Sequence, residues 1–240
     1  MTATEVIWHD IECGGYREDL PLWRALAREH GGPILDVGAG TGRVSLDLAR
    51  LGYEVTALDR DEELLAALAA RAAGTTLETV LADARSFTLA RRFSLCLVPM
   101  QAIQLLGGVE ERAAFLSCAR ACLVPGGVLA TALTDVVDAY ETAEGALAPL
   151  PDIRELDGVV YASRPVAVRP EHDVFVIERL REIVAADGAH HVEENRIALH
   201  RVGAAELERE GCEAGFRKLA RARVPATLDY VGSEVVVLGV

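Results

Sequence analysis

The sequence predicts an α/β fold built on a doubly wound, Rossmann-like β-sheet, with an antiparallel β insert after the fifth strand. Three observations support this fold class. Strand-like and helix-like segments alternate through residues 33–134, the strand-like segments are mostly apolar, and the pattern changes to long strands after residue 135. Apolar strands that alternate with helices are typical of a parallel sheet with right-handed crossovers and helices on both faces.

The elements of the first half follow from local patterns. Residues 17–30 predict a helix, because Leu22, Trp23 and Leu26 share one face and two glycines follow. Strands are predicted at 33–37, 54–59, 77–83, 93–99 and 128–134. Helices are predicted at 42–51, 61–72 and 110–123, which suggests five strand–helix repeats in all.

The second half reads as antiparallel sheet. The stretches "GVVYASRPVAVR", "DVFVIERLREIVAAD" and "HHVEENRIALHRV" predict three long strands, with Asp187-Gly188 as a hairpin turn between the last two. Pro165 makes the first of them an edge strand or a bulged strand, because proline cannot donate to a ladder. A helix at 204–216 and a last strand at 230–240 complete the prediction.

Composition and charge narrow the class of partner. The chain has 240 residues, 51% of them hydrophobic, which suits one large globular domain with an elaborated insert. A formal net charge of −13 would repel phosphate backbones, so we expect no nucleic-acid partner and no anionic membrane surface.

Location and metal content are predicted from what the sequence lacks. No apolar stretch reaches the roughly 18 residues of a membrane span, and the N-terminus has acids where a signal peptide needs a basic start, so a cytoplasmic protein is expected. The five cysteines show no framework spacing. His190 and His191 beside Glu193 and Glu194 are better explained by solvent exposure than by a metal site, and no metal is expected.

The stretch "ILDVGAGTGR" at 34–43 is the strongest functional signal. A glycine turn between a buried strand and a helix lets backbone N–H groups and the helix dipole approach a ligand closely. Gly38 and Gly40 match the dinucleotide pattern G-x-G-x-x-G, but Arg43 stands at its third glycine and Gly42 comes one residue early. The P-loop pattern also fails, because no Gly-Lys-Ser/Thr follows.

With these residues the sequence resembles the class I S-adenosylmethionine-dependent methyltransferases. "LDVGAGTGR" is similar to the first motif of that family, "LADAR" to the end of its third strand, "LVPMQAIQLL" to the region after its fourth strand, and "LVPGGVLA" to the turn before its fifth. The resemblance covers residues 33–134 in order. It implies the family's Rossmann-like fold and S-adenosyl-L-methionine as cofactor.

The resemblance also assigns roles to individual residues. The loop of Gly38, Ala39 and Gly40 would pack under the methionine part of the cofactor, and Asp36 would hold that loop or the amino end. Asp59 lies 21 residues after Gly38, where an acid can accept from both ribose hydroxyls, although it also stands where a helix cap belongs.

The remaining cofactor contacts come from later strand ends. Asp83 would accept from the adenine amino group, and the N–H of Ala84 would serve the ring nitrogen. Arg60 and Val98 complete the predicted cofactor-binding set. Met100 and Gln104 follow the fourth strand, where the substrate should approach, with core packing as the alternative for Met100.

The layout further resembles small-molecule N-methyltransferases, including those that act on amino sugars and glycine. In these proteins a lead-in segment precedes the first strand and an antiparallel insert follows the fifth. The segment "WHDIECGGYREDLPLW" would then be a cap over the cofactor, with Tyr16 as a candidate contact and His9 as the candidate catalytic residue. The charge-rich strands of the insert form either a solvated sheet face or the surface of a homodimer.

The predicted domains therefore follow chain order: a cap and helix at 1–32, the cofactor-binding core at 33–134, the antiparallel insert at 135–203, and a helix and strand at 204–240 that complete the core sheet. The predicted function is methyl transfer to a small-molecule acceptor, at nitrogen more than at oxygen, by direct in-line displacement. The alternatives are a dinucleotide-dependent oxidoreductase and a cofactor-binding protein without turnover, since a fold does not establish chemistry. The Asp/Asn-Pro-Pro-aromatic signature of DNA amino-methylating enzymes is absent, because residues 98–101 read "VPMQ".

Overall fold

A computed structural model describes residues 4–134, 139–142, 149–227 and 230–240. The helices are α1 (Thr4–Glu12), α2 (Leu20–His30), α3 (Arg43–Arg50), α4 (Glu62–Arg71), α5 (Ala102–Leu105), α6 (Val109–Cys122) and α7 (Ala204–Glu213). The first five strands are β1 (Ile34–Val37), β2 (Val55–Asp59), β3 (Leu77–Leu81), β4 (Phe93–Val98) and β5 (Leu123–Leu133). The later strands are β6 (Tyr140–Glu141), β7 (Asp152–Leu156), β8 (Val159–Glu171), β9 (Val174–Val184), β10 (His190–His200), β11 (Arg217–Lys218), β12 (Ala222–Val224) and β13 (Ser233–Gly239).

The chain divides into two compact units by contacts. The smaller unit combines the described parts of residues 1–15 and 136–201, and the larger unit combines residues 16–135 and 202–240. This division is based on contacts between residues, whereas the four segments expected from the sequence follow chain order. The boundaries of those four segments stay predictions. Among the described residues, no helix is both long enough and apolar enough to cross a membrane.

The larger unit contains an eight-stranded sheet of order β11-β13-β5-β4-β1-β2-β3, with β12 also paired to β13. β1 to β5 are parallel, and β13 runs antiparallel to β5. This arrangement confirms the predicted fold class and the predicted last strand. The chain order reverses between β1 and β4, which lie side by side. In open α/β sheets, ligands bind in the crevice outside the carboxyl ends of the strands at such a switch point.

The core confirms burial on both faces of the parallel sheet. Leu35 and Val37 of β1 belong to one apolar cluster together with Phe115 of α6. Ile34 of the same strand belongs to a second cluster together with Trp23 of α2. Because successive side chains of a strand point to opposite faces, these two clusters place helices on both sides of the sheet. The sequence of β1 is therefore apolar almost throughout.

One connection differs from the expected strand–helix repeat. No helix lies between β3 and β4, where residues 82–92 form turns and irregular chain. The main-chain N–H of Arg85 donates to the Asp83 carboxylate at 2.8 Å, a local bond that favours a turn over a helix. Phe87 is 5% exposed and anchors the segment in the core. The prediction of five complete repeats is wrong at this connection.

Two smaller differences concern elements that local patterns did not predict. β5 begins at Leu123 rather than at 128, because Leu123 pairs with Phe93 before a register shift. The short helix α5 and the helix α1 were not expected from the sequence. α1 buries Val6, Ile7 and Trp8. Its apolar residues therefore face the protein interior rather than solvent.

The smaller unit contains an antiparallel sheet of order β10-β9-β8-β6, with β7 also paired to β8. The three long predicted strands are present as β8, β9 and β10. Ala185 N–H donates to Ala189 at 2.8 Å across the predicted hairpin turn. Register shifts between Pro165 and Ala167, so β8 is bulged, and since it pairs on both sides it is not an edge strand. Residues 135–138 and 143–148 of the predicted insert lie outside the described residues.

A buried ion pair joins α1 to this sheet. Arg181 of β9 donates to Glu12 of α1 at 2.8 and 3.0 Å, and the Ser163 hydroxyl donates to Glu12 at 2.8 Å. Burial alone would raise the pKa of Glu12, but the hydrogen bonds from Arg181 and Ser163 hold that pKa below its usual value. Glu12 therefore stays ionised where α1 meets β8 and β9.

Candidate functional site

The glycine loop between β1 and α3 has a backbone that only glycine adopts readily. Gly38, Gly40 and Gly42 have φ of 72°, 55° and 91°. A Cβ at Gly42 would lie 2.0 Å from the Leu68 side chain, so a larger residue fails there for steric as well as conformational reasons. Ala39, between the first two glycines, is 8% exposed. The loop thus keeps a bare backbone at the carboxyl end of β1.

Asp59 ties this loop to the end of β2. Its Oδ2 accepts from the main-chain N–H of Gly40 at 2.8 Å, and its Oδ1 accepts from Asp61 N–H at 3.0 Å. The cap of α4 is Asp61, whose carboxylate accepts from Glu63 and Leu64 N–H groups. Asp59 is therefore not the helix cap. The structure brings Asp59, the predicted ribose acceptor, into direct contact with the predicted cofactor loop.

Asp83 lies at the neighbouring strand end on the same edge of the sheet. Leu81 of β3 pairs in parallel with Asp59, and Ala82 N–H donates to the Asp59 carbonyl at 2.9 Å. The Arg85 guanidinium donates to the Asp83 carboxylate at 2.6 Å. Hydrogen bonds from the Arg85 side chain and N–H lower the pKa of Asp83 to about 2. Asp83 is thus an ionised acceptor whose side chain remains 35% exposed.

The two residues that follow these acids differ in their surroundings. Arg60 follows Asp59 and is exposed, and its charge helps to lower the pKa of Asp83. Ala84 follows Asp83 and is half-buried. Both lie at the same sheet edge as the acids, as expected.

Asp36 lies within β1, directly before the loop, and is 1% exposed. Ser45 of α3 donates its hydroxyl to Asp36 Oδ2 at 2.5 Å, while Oδ1 is buried without a partner among the described residues. Burial raises the pKa of Asp36 to about 7. Its Oδ1 therefore has its hydrogen-bonding capacity unmet among the described residues, which would suit a polar group of a ligand.

The residues predicted to line the site at the end of β4 and after it differ in burial and in hydrogen bonding. Val98 is buried at the end of the strand, and Met100 is half-buried with a positive φ of 52°. Such backbone strain in a non-glycine residue is concentrated at functional sites. Gln104 is fully buried, and its amide exchanges two hydrogen bonds of 2.9 Å with the main chain of Thr134. Because the Gln104 side chain is 0% exposed and bonded through both its nitrogen and its oxygen, this geometry favours a structural role.

Tyr16 and His9 lie in different units. Tyr16 belongs to the larger unit and is 7% exposed, with its ring 4.9 Å from that of Tyr230. Burial raises the pKa of Tyr16 to about 12, so its hydroxyl stays protonated. His9 lies half-buried on α1 in the smaller unit. Cofactor contact by Tyr16 and catalysis by His9 stay predictions.

Sequence reasoning missed the partner of Arg43. Arg43 forms a buried ion pair with Asp19, with nitrogen–oxygen distances of 2.5 and 2.7 Å. The only local signal was the arginine itself at the third glycine position of the dinucleotide pattern. Its partner lies 24 residues earlier in the chain, a separation that no helical or strand periodicity connects.

Comparison with known proteins agrees with this geometry. Residues 34–127 match the model of a protein family described as a methyltransferase domain. The matched segment begins at β1, includes the glycine loop, Asp59 and Asp83, and ends within β5.

Solved structures resemble the chain over nearly its full length. The sugar N-methyltransferase KedS8 from Streptoalloteichus sp. aligns with a TM-score of 0.73 at 20% identity, covering 98% of this chain and 92% of that one. CalS10, an amino pentose methyltransferase from Micromonospora echinaspora whose structure contains bound S-adenosylmethionine, aligns at 0.71 and 21% identity, covering 99% and 97%. The glycopeptide N-methyltransferase MtfA, solved with S-adenosyl-L-homocysteine, aligns at 0.61 and 24% identity, covering 91% and 86%. At these identities the likeness establishes the fold.

Proposed function

We propose that this chain, a class I methyltransferase in fold whose residues 34–127 form a methyltransferase domain, transfers the methyl group of S-adenosyl-L-methionine to an amino group of a small molecule. The observation that carries the proposal is the contact between Asp59 and the Gly40 N–H at 2.8 Å. It joins an acceptor for ribose hydroxyls to the glycine loop at the switch point of the sheet, where ligands of such folds bind.

The residues present fit this cofactor. The unpartnered Oδ1 of Asp36 would face a polar group at the methionine end, and the bare backbone at Gly38 and Gly40 would allow close approach. Asp59 would accept from the ribose and the ionised Asp83 from the adenine amino group. When bound, the cofactor supplies an activated methyl group on a sulfonium whose leaving thioether is neutral.

The protein must then mainly align the acceptor with the methyl group and keep water away from both. Holding a nucleophile in line with the methyl carbon at near-attack distance can lower the activation barrier by roughly 7–11 kcal/mol. Val98 and Met100, at the end of β4, are placed to border the acceptor side of the site.

Nitrogen is favoured over oxygen as the acceptor atom for a chemical reason. A hydroxyl needs a general base, whereas an amine needs only to arrive unprotonated. Residues 99–108, "PMQAIQLLGG", contain no titratable side chain after the strand where the acceptor should approach. KedS8 and MtfA are both described as N-methyltransferases, which supports the same choice by analogy of fold.

Calorimetric titration with S-adenosyl-L-homocysteine tests the cofactor, with NADH as the matched comparison. We expect saturable binding of the first and none of the second, because Arg43 replaces the third glycine of the dinucleotide pattern. Binding of NADH alone would instead support an oxidoreductase. Mass spectrometry of a panel of small amines and matched alcohols, incubated with S-adenosylmethionine, then tests the acceptor. Methylated alcohols without methylated amines would contradict the choice of nitrogen.

A further inference from the structure

Arg43 occupies a position where a cation is unfavourable by itself. It is the first residue of α3, directly after Gly42, and its side chain is only 6% exposed. Helix N-termini carry partial positive charge and favour anions, and a buried guanidinium needs full compensation. A buried arginine here therefore needs an explanation beyond helix formation.

The guanidinium of Arg43 forms its hydrogen bonds with the segment that precedes α2. It donates to both Asp19 carboxylate oxygens at 2.5 and 2.7 Å and to the Tyr16 carbonyl at 3.0 Å. It also lies 5.0 Å from the centre of the Tyr16 ring. Asp19 is 2% exposed and accepts from Trp23 Nε1 at 2.8 Å as well. These bonds occupy both terminal nitrogens, so Arg43 is poorly placed to be a ligand of the cofactor itself.

The glycine loop is thereby held at its middle and at its end. Asp59 holds Gly40, and Gly42 N–H donates to the Ala39 carbonyl at 2.9 Å within the loop turn. The next residue is Arg43, which is fixed to Asp19. A loop of glycines loses much conformational entropy when it is ordered, and ordering it before the ligand arrives strengthens binding.

We propose that Arg43 is a positioning residue, which with Asp19 fixes the end of the glycine loop and holds its bare backbone in the conformation that the cofactor approaches. The inference rests on the proposed function in that the ligand of the loop is taken to be S-adenosylmethionine. It assigns Arg43 an indirect effect on cofactor affinity, through the loop, rather than a direct contact.

A matched pair of variants separates positioning from general stability. Arg112 is a second buried arginine of the same unit, paired through two bonds with Glu210 between α6 and α7 at 2.8 and 2.6 Å. Lysine keeps the charge of either arginine but cannot form the two-pronged bond. We expect Arg43→Lys to weaken S-adenosyl-L-homocysteine binding about tenfold or more in calorimetry, as expected for the loss of a charge-assisted hydrogen bond. Arg112→Lys should change that affinity less than about twofold at a temperature where both variants are folded.

Hydrogen exchange of the ligand-free proteins gives a second readout. We expect faster exchange of the Gly40 and Gly42 amides in Arg43→Lys and unchanged exchange there in Arg112→Lys. Asp19→Asn should reproduce the Arg43→Lys effects, and the double variant should add little to either. Equal affinity losses in both lysine variants, or loop exchange unchanged by Arg43→Lys, would overturn the inference. If the wild type binds no S-adenosyl-L-homocysteine, the proposed function fails, while the exchange experiment still decides the role of Arg43.

Discussion

At the scale of single residues, the site depends on carboxylates whose surroundings differ. Asp59 is bonded to main-chain N–H groups, Asp83 is paired with Arg85, and Asp36 is buried with one unpartnered oxygen. The same type of side chain therefore acts as a loop anchor at Asp59, as an ionised surface acceptor at Asp83 and as a group that titrates near neutral pH at Asp36.

Removal of the Asp59 carboxylate should abolish most of the thermal stabilisation that S-adenosyl-L-homocysteine gives. In Asp59→Ala the Gly40 N–H loses its acceptor and the ribose loses its partner. We expect S-adenosyl-L-homocysteine to raise the melting temperature of the wild type and to leave that of Asp59→Ala nearly unchanged. Asp173→Ala, at an exposed turn, serves as the control and should respond like the wild type. A full shift in Asp59→Ala would contradict the assignment of this residue.

Asp36 should make stability depend on pH. Folded Asp36 keeps its proton up to about pH 7, whereas the ordinary value is 3.8, so the folded state binds the extra proton between these limits. Stability therefore falls as pH rises through this window. Asp36→Asn cannot titrate. We expect its free energy of unfolding, relative to wild type, to rise by about 2–3 kcal/mol from pH 5 to pH 8 in urea denaturation. A constant difference across that range would show that Asp36 does not carry this proton.

At the scale of elements, ion pairs of different burial connect helices that lie apart in the sequence. Arg112 of α6 and Glu210 of α7 have side chains 3% and 6% exposed. Arg24 of α2 and Asp47 of α3 form a similar two-pronged pair with 44% and 19% exposure. Because solvent screens exposed charges, the two pairs should differ greatly in their effect on stability.

Breaking these two pairs tests that difference. Glu210→Gln removes the two-pronged carboxylate partner of the buried Arg112, which keeps a weaker pairing with Glu206 at 3.8 Å, and should lower the free energy of unfolding by about 3 kcal/mol. Asp47→Asn, at the exposed pair, should cost about 1 kcal/mol or less. Chemical denaturation at pH 7 measures both. Similar losses in the two variants would mean that burial does not determine the strength of the Arg112–Glu210 contact.

At the scale of the whole molecule, the chain combines a segment that matches a methyltransferase-domain model, residues 34–127, with an antiparallel sheet in a separate compact unit. Among the described residues β10 is an edge strand of that sheet, and it carries the charged residues Glu193, Glu194 and Arg196. An edge strand exposes unpaired main-chain groups that a second chain can use, and charges on it oppose unspecific pairing. The predicted homodimer through the insert and the predicted cytoplasmic location both stay predictions.

The dimer prediction is tested by the mass in solution. One chain has a mass of 25.7 kDa, and light scattering coupled to size-exclusion chromatography should give twice that value. Hydrogen exchange should then protect β10 more strongly at high than at low protein concentration, because only the dimer covers this edge. A single-chain mass at all concentrations would rule out the insert as a dimer surface under those conditions.

The sequence by itself determined the order of strands and helices in residues 33–134, the glycine loop and the acids at the strand ends. Apolar periodicity, glycines and turn residues act over a few neighbouring positions, and the chain displays them directly. Only the tertiary structure decided that Arg43 pairs with Asp19 and that the Gln104 amide is hydrogen-bonded to the main chain of Thr134. It also decided that burial raises the pKa of Asp36 to about 7 and that β3 and β4 are joined by a turn, so that the five strand–helix repeats are not complete. These outcomes depend on burial and on contacts between residues distant in the chain, which arise only when the elements pack.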